Sequence, residues 1–324
     1  MEKFKFITHD NHDPYFNLAS EEYLLKQTDG YYFYLWINEP SVIVGVNQNA
    51  IEEVNLSYTE KEGIKVVRRL TGGGAVFHDS GNLCYTVIAP FNDTENAYKK
   101  FTAPVIEYLN SLGVKAEFSG RNDITVAGQK ISGNAQTVYN GRIMHHGTLL
   151  FSSDMLGLTK SLNPSKLKME SKGIKSVRAR VTNISEHLKN NMTILDFKEG
   201  LKNIFLKNSE EYQFSDFDFR EINKLKEEKY STYEWNIGRS PKGKNTFMHK
   251  FTFGIFTLTF DTENGLISNA EIHGDFFSKK PINGFYLRLN GIKFNREDFE
   301  KAFIDIDEYI ANANANDIIN EIFK

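Results

Sequence analysis

The chain passes between two kinds of apolar spacing, and the changes mark out its elements. Phe16 to Gln27 carries apolar residues at Leu18, Ala19, Tyr23 and Leu24, a spacing that predicts an amphipathic helix with one face on a sheet. Tyr31–Ile37 and Ser41–Val46 are β-rich runs split by Asn38-Glu39-Pro40, which predicts a hairpin. Lys65–Arg69 reads as a short strand, Gly72-Gly73-Gly74 breaks it, and Asn82–Ala89 resumes with the pattern of a buried strand. Asn96–Leu112 is spaced as a helix that ends at Gly113. From Val114 to Phe151, short β segments are punctuated by Gly120-Arg121-Asn122-Asp123, Gly128-Gln129-Lys130 and the hairpin dipeptide Asn140-Gly141, so a meandering sheet is expected.

A basic, irregular segment spans 164–180, and Thr193–Phe205 predicts the helix that closes this layer. Around Gly238–Lys244 the chain turns polar and punctuated, as a linker does. The expected division is therefore 1–244 and 245–324. In the second part Phe251–Phe260 alternates, Asp261–Gly265 turns and Leu266–Ile272 returns, while Arg296–Ile310 and Ala315–Phe323 read as helices. The predicted fold class is α+β: a large domain with a mixed, mainly antiparallel sheet packed by helices, followed by a small α+β module.

Composition narrows the functional classes. The 324 residues hold 39 Lys plus Arg against 42 Asp plus Glu, a net charge of -3, which argues against a mainly electrostatic nucleic-acid binder. The single cysteine, Cys84, allows no internal disulfide and no Cys-based metal spacing. No run approaches the roughly 20 apolar residues of a membrane span, and the N-terminus lacks a signal-like apolar stretch. A cytoplasmic location and no membrane partner are the expectation.

Candidate chemistry is densest at Val66–Asp79. Three consecutive glycines, Gly72, Gly73 and Gly74, let the backbone approach a ligand and turn N–H groups toward an anion, and Arg69 adds delocalised positive charge. The alternative is a plain glycine-rich turn with a solvated arginine. A second cluster, Gly120–Ala135, holds Lys130, whose ammonium can meet a carboxylate or an α-phosphate, and Asp123, which can hold magnesium; on its own it is equally a surface hairpin. In His145-His146 neighbouring side chains point to opposite strand faces, so only one, taken as His146, faces a ligand, and the pair is a poor metal chelate. Arg178 and Arg180 lie in a basic loop able to close over a nucleotide or to stay solvated. Gly238-x4-Gly243-Lys244 misses a Walker A motif, because Asn245 replaces the Ser/Thr and Pro241 interrupts the loop.

Several ordered motifs together resemble the two-domain bacterial lipoate-protein ligases: Arg68-Arg69-x-x-Gly72-Gly73-Gly74-Ala75-Val76-Phe77-His78-Asp79, Gly120-Arg121-Asn122-Asp123, Lys130-x-Ser132-Gly133, His145-His146-Gly147-Thr148 and Ser176-Val177-Arg178-x-Arg180. Asp13-Pro14-x-Phe16-Asn17-Leu18-Ala19-x-Glu21-Glu22 and Trp235-Asn236-x-Gly238 extend the match. The resemblance implies that ATP and lipoate form lipoyl-AMP, and that a lysine of a lipoyl-domain carrier then takes the acyl group. The implied carriers are a 2-oxoacid dehydrogenase E2 subunit or a glycine-cleavage H protein. It further implies that Arg69, Gly72, Gly73, Gly74, Ala75, Val76, Phe77, His78, His146, Arg178 and Arg180 surround nucleotide and acyl chain, that Lys130 touches phosphate and carbonyl, and that Asp123 is placed for magnesium or adenylate. Leu18, Trp36, Val44 and Val76 are candidates for the apolar slot, with a plain core role as the alternative.

Rival readings differ in what they need. An octanoyl or lipoyl transferase of the same fold needs a reactive cysteine, whereas Cys84 sits in a strand where a buried, inert thiol is the default. A biotin ligase would carry a Gly-Arg-Gly-type loop that is not apparent. A non-enzymatic carrier-binding scaffold would have no use for the adenylate motifs.

Overall fold

The largest apolar mass lies on the two faces of one sheet. The structure is a computed structural model that describes residues 4–27, 30–91, 97–162, 180–207, 209–239, 245–263, 266–294 and 296–323. Its first strands are β1 (Phe4–Thr8), β2 (Tyr31–Ile37), β3 (Ser41–Val44), β4 (Lys65–Arg68), β5 (Val76–His78) and β6 (Asn82–Pro90). They are followed by β7 (Ala116–Ser119), β8 (Asp123–Val126), β9 (Gln129–Tyr139), β10 (Arg142–Leu150) and β11 (Ser209–Glu211). The main sheet has the order β11-β1-β2-β6-β10-β9-β8-β7. Only β11, β1 and β2 run parallel; the rest is the expected antiparallel meander, with Asn140 and Gly141 both at positive φ in the β9–β10 turn.

Period-two alternation gives each face its own core. Leu35, Leu83, Tyr85 and Val87 point to the side covered by the helices Ala97–Ser111 and Ile194–Leu206. Tyr34, Trp36, Cys84 and Met144 point to the other side, under α1 (Pro14–Lys26) and the helix Asp216–Leu225. Because α1 is enclosed between sheet and helix, it is not amphipathic as expected: Asn17, Ser20, Glu21 and Glu22 are buried with the apolar residues. Each buried polar group on it has a partner, as Asn17 does in Ile37 O (3.2 Å) and Asn38 Oδ1 (2.9 Å).

The predicted β2–β3 hairpin does not form. Asn38 is fully buried and anchored to α1 and to His78, so the turn redirects the chain into a second sheet of order β4-β3-β5. Val42, Val44 and Phe77 pack on its outer side, while Ile43 and Val76 face the main sheet.

The C-terminal part has a separate apolar core, built from Phe256, Phe276, Phe285, Phe299 and their neighbours. Its strands β12 (Asn245–Phe251), β13 (Gly254–Glu263) and β14 (Leu266–Gly274) form an antiparallel sheet. The run read as Phe251–Phe260 thus contains a turn, since β12 ends where β13 is about to begin. The helix expected over Arg296–Ile310 stops at Phe303 and is followed by a short turn of 3-10 helix, Ile306–Glu308. The helix Ala315–Ile322 stands as expected. This module touches the rest of the chain through Asn47 Nδ2, which donates to Ser278 Oγ (2.6 Å), and through Arg121, whose guanidinium lies 4.3 Å from the Phe277 ring.

Arg68 ties the pieces together. Fully buried at the end of β4, it donates to Gly45 O (2.9 Å) and Gln48 O (2.6 Å), and also to Trp235 O (3.0 Å) and Asn236 O (3.0 Å). Arg68→Met keeps the length but orphans these acceptors, so the unfolding free energy should fall by roughly 3 kcal/mol. Urea titration checks this, and an unchanged midpoint would refute the tie.

Candidate active site

A cavity of about 150 Å³ opens between the two sheets. Its apolar walls are Leu18, Trp36, Ile43 and Val76, and its polar part is formed by Asn122, Lys130 and Asn134. Among the predicted residues, Arg69, Gly73, Gly74, Ala75, Val76, His78, Lys130 and His146 all line it. The motifs at 66–79, 120–135 and 145–148 therefore meet in space.

Strand alternation decides which neighbours do not. Phe77 lies between two cavity residues of β5, so its ring points away and packs in the outer core beside Gly157. Val44 is turned outward in the same way, and Ile43 takes the place expected for it. Gly72 faces the C-terminal module instead: a Cβ there would meet Phe276 O at 2.2 Å. Gly73, at φ +92, donates its N–H to that same carbonyl (3.4 Å).

Arg69 is also buried, but its guanidinium is turned back on the glycine loop. It donates to Ile43 O (3.0 Å), Gly72 O (2.6 Å), Gly74 O (2.9 Å) and Thr71 Oγ1 (2.9 Å). The arginine thus shapes the loop with its N–H groups and lends the cavity wall its charge. Burial pulls its pKa down to about 10, which leaves it charged at neutral pH.

From Thr71 a chain of hydrogen bonds crosses the cavity wall. Thr71 Oγ1 is 2.8 Å from His146 Nε2, and His146 Nδ1 is 2.9 Å from Glu21 Oε1. Thr86 Oγ1 donates to the same carboxylate (2.6 Å) and accepts from Trp36 Nε1 (3.0 Å). Because the Glu21 carboxylate can only accept, a neutral His146 carries its proton on Nδ1, toward Glu21, and its Nε2 then accepts from the Thr71 hydroxyl. Sequence reasoning missed Thr71 and Glu21. Glu21 lies within the α1 motif, but nothing local ties it to a histidine 125 residues away. His145 faces the opposite side, against Tyr85 and Gln136, as adjacent strand residues must.

Lys130 Nζ pairs with Asp123 Oδ1 at 2.7 Å, both side chains about one-third exposed. Gly133 makes room for this ammonium, because a Cβ there would lie 2.7 Å from Nζ. Asp123 stands behind the lysine and does not line the cavity. Val181 bridges to Lys130, and Thr182 N donates to its carbonyl (3.0 Å), so the chain just after Arg180 runs beside the lysine. Arg180 is half-buried and off the cavity wall; Arg178 and most of the near-Walker segment lie outside the described residues. Cys84 lies on the cavity floor, 3.6 Å from His78 Nδ1, and burial pushes its thiol pKa well up. Among the described residues no group of three or more His, Cys, Asp or Glu could hold a metal ion.

The family model described as "Lipoyl protein ligase A/B catalytic domain" matches residues 13–206, and "Bacterial lipoate protein ligase C-terminus" matches 240–322. The chain is 42% identical to lipoate-protein ligase LplJ of Bacillus subtilis, over 98% of this chain and 99% of that one. Against lipoate–protein ligase 1 of Staphylococcus aureus the identity is 45%, over 94% and 95%. Among solved structures, P. falciparum LipL1 in complex with lipoate superposes with TM-score 0.76 and 29% identity, covering 98% of both chains. A lipoate-protein ligase A bound with ATP gives TM-score 0.65 and 27% identity, over 74% of this chain and 99% of that one. A bi-partite lipoate protein ligase of Thermoplasma acidophilum, described with its E2 lipoyl domain, gives 0.66 and 28%, over 76% and 100%.

The buried histidines set an acid limit on the folded site. Burial, with Arg69 adding to it at His78, pulls the pKa of His78 and His145 from 6.5 to about 3. Protons therefore bind more tightly to the unfolded chain, so the stability from burying them neutral is complete above pH 6.5 and is lost as pH falls toward 3. The expected loss is about 2 kcal/mol per histidine by pH 5. Urea midpoints measured at pH 7, 6 and 5 should fall accordingly, and a flat series would contradict the assignment.

Proposed function

Because the chain belongs to the lipoate-protein ligase family, and so is an enzyme that joins lipoate to protein with ATP, we propose how this cavity divides the work. The acyl chain and dithiolane lie against Leu18, Trp36, Ile43 and Val76, with the carboxylate toward Lys130. The nucleotide's α-phosphate lies at Gly74 and Ala75, under the positive charge of Arg69. A carboxylate oxygen of lipoate attacks that phosphorus and pyrophosphate leaves. A carrier lysine, as its neutral amine, then attacks the acyl carbon; AMP leaves and an amide remains.

The observation that carries this reading is the single cavity wall on which an apolar slot, a glycine loop and the Lys130 ammonium converge. Lys130 exchanges Asp123 for the developing negative charge on phosphate and then on the carbonyl oxygen, while the fixed loop holds the reactants together. No protein nucleophile is needed. Asp123 offers one carboxylate, which fits a magnesium ion held mainly by ATP phosphates and water and does not fit an all-protein cage. Such an ion would neutralise the charge of the phosphates.

The acceptor is a lipoyl-domain carrier, of the E2 class or a glycine-cleavage H protein. The division at 244/245 is supported by the separate C-terminal core and by the family match beginning at residue 240. The free buried cysteine fits a cytoplasmic setting, and among the described residues no helix is long and apolar enough to cross a membrane.

With magnesium and no carrier, the purified protein should catalyse lipoate-dependent ATP–pyrophosphate exchange above a no-lipoate control. Exchange should drop at least about 100-fold in Lys130→Ala. Gly133→Ala, which crowds the ammonium, should lower it by about tenfold or more with the fold retained. Cys84→Ser should keep full exchange. Folded protein without exchange, but with acyl transfer between carriers that Cys84→Ser abolishes, would establish the transferase instead.

A further inference from the structure

A second concavity lies between the catalytic part and the C-terminal module. It is a cleft of about 390 Å³ joined to a cavity of about 220 Å³, the two sharing Val46, Asn47, Arg239 and Ile282. It meets β9 at Thr137–Tyr139, beyond the stretch from Lys130 to Ala135 that serves the catalytic cavity. Although the chain carries a net charge of -3, this lining holds five cations, Lys26, Lys229, Arg239, Lys279 and Lys280, against two carboxylates, Glu22 and Glu271.

Lys280 is paired with Glu308 (2.5 Å), which stands outside the lining, and the other four cations are incompletely compensated. Glu22 is divided between Lys26 (2.7 Å) and Lys229 (2.6 Å). Among the described residues, Arg239 and Lys279 have no carboxylate in ion-pair contact. Arg239 lies 4.8 Å from the Trp235 ring and Lys229 lies 3.9 Å from it, so one indole gathers two cations. Burial, with the facing charges of Lys26 and Arg239, holds Lys229 below the ordinary lysine range in spite of Glu22. Deeper in, His273 is 6% exposed with both ring nitrogens unpartnered among the described residues, and Gln48 Nε2 is a second buried donor without an acceptor. Unpaired groups of this kind are costly unless a ligand completes them.

We propose that this cleft is a second binding site, for a small polyvalent oxyanion of the phosphate or pyrophosphate class, held across the two parts of the chain. Such an anion relieves the crowding of Lys229, Arg239 and Lys279, and its oxygens accept from His273 and Gln48. Concavity and buried donors favour a small ion over a protein surface.

The test is calorimetric titration of inorganic pyrophosphate into the full chain, without ATP, lipoate or divalent metal. The expected result is one saturable site, weakened at least tenfold in the Arg239→Ala/Lys279→Ala variant and unchanged in Lys130→Ala. If the double variant fails to fold, Lys279→Glu at its exposed position should give the same weakening. Absence of saturation, equal affinity in the folded variants, or loss in Lys130→Ala would each overturn the proposal, the last by placing the anion in the catalytic cavity. No pyrophosphate binding together with Lys279-dependent binding of an acidic carrier would likewise overturn it. Binding at the cleft in protein that shows no ATP–pyrophosphate exchange would sink the catalytic reading and leave this site standing.

Discussion

Two adjacent arginines at the end of β4 impose the constraint on which the rest of the architecture depends. Among the described residues neither Arg68 nor Arg69 has a carboxylate in ion-pair contact, and both are nearly inaccessible to water. A buried guanidinium without a counter-charge costs several kcal/mol unless its N–H groups are satisfied. Carbonyl oxygens supply what carboxylates do not. The segment around Gly45–Gln48 and the turn at Trp235–Asn236 close on Arg68, and the loop from Thr71 to Gly74 closes on Arg69. Both charges remain uncancelled, which suits a site whose ligands are anions.

The same logic links the two ends of the cavity. Trp36, at the apolar end, is joined through Thr86, Glu21, His146 and Thr71 to Arg69 at the glycine loop. Each member has one orientation that satisfies its neighbours, so the wall is rigid where a floppy acyl chain needs a shape to fit. Lys130 stands outside this chain: among the described residues its ammonium pairs with Asp123, and it is more exposed. The fixed groups shape the site, and the looser cation is the one free to follow moving charge.

Much of this was legible in the sequence, because glycine loops, hairpin dipeptides and ordered motifs are local signals. Lys130, His146 and the loop from Gly73 to Val76 were readable for that reason. What escaped depends on contacts distant in the chain. Ser41–Val46 reads as the second half of a hairpin, since nothing near Pro40 shows that Asn38 is pulled inward by Asn17 and His78. The polar residues of α1 looked like a solvent face because periodicity records spacing and cannot see a second layer of helix above. Phe77 reads as one more site residue beside its neighbours because β5, three residues long, is too short to announce its own alternation.

That alternation has an evolutionary consequence. In β3 and β5 the cavity and the outer core are written on alternate residues of the same strands: Ile43 between Val42 and Val44, Phe77 between Val76 and His78. Side chains on one face can be exchanged without disturbing the other, so the shape of the acyl slot can drift while the scaffold stays intact. Chain length has no such freedom. Gaining or losing a single residue in either strand would carry the core set into the cavity and the cavity set into the core. The lineage of this site is therefore open to substitution and closed to insertion, and its variety must be spelled at fixed length.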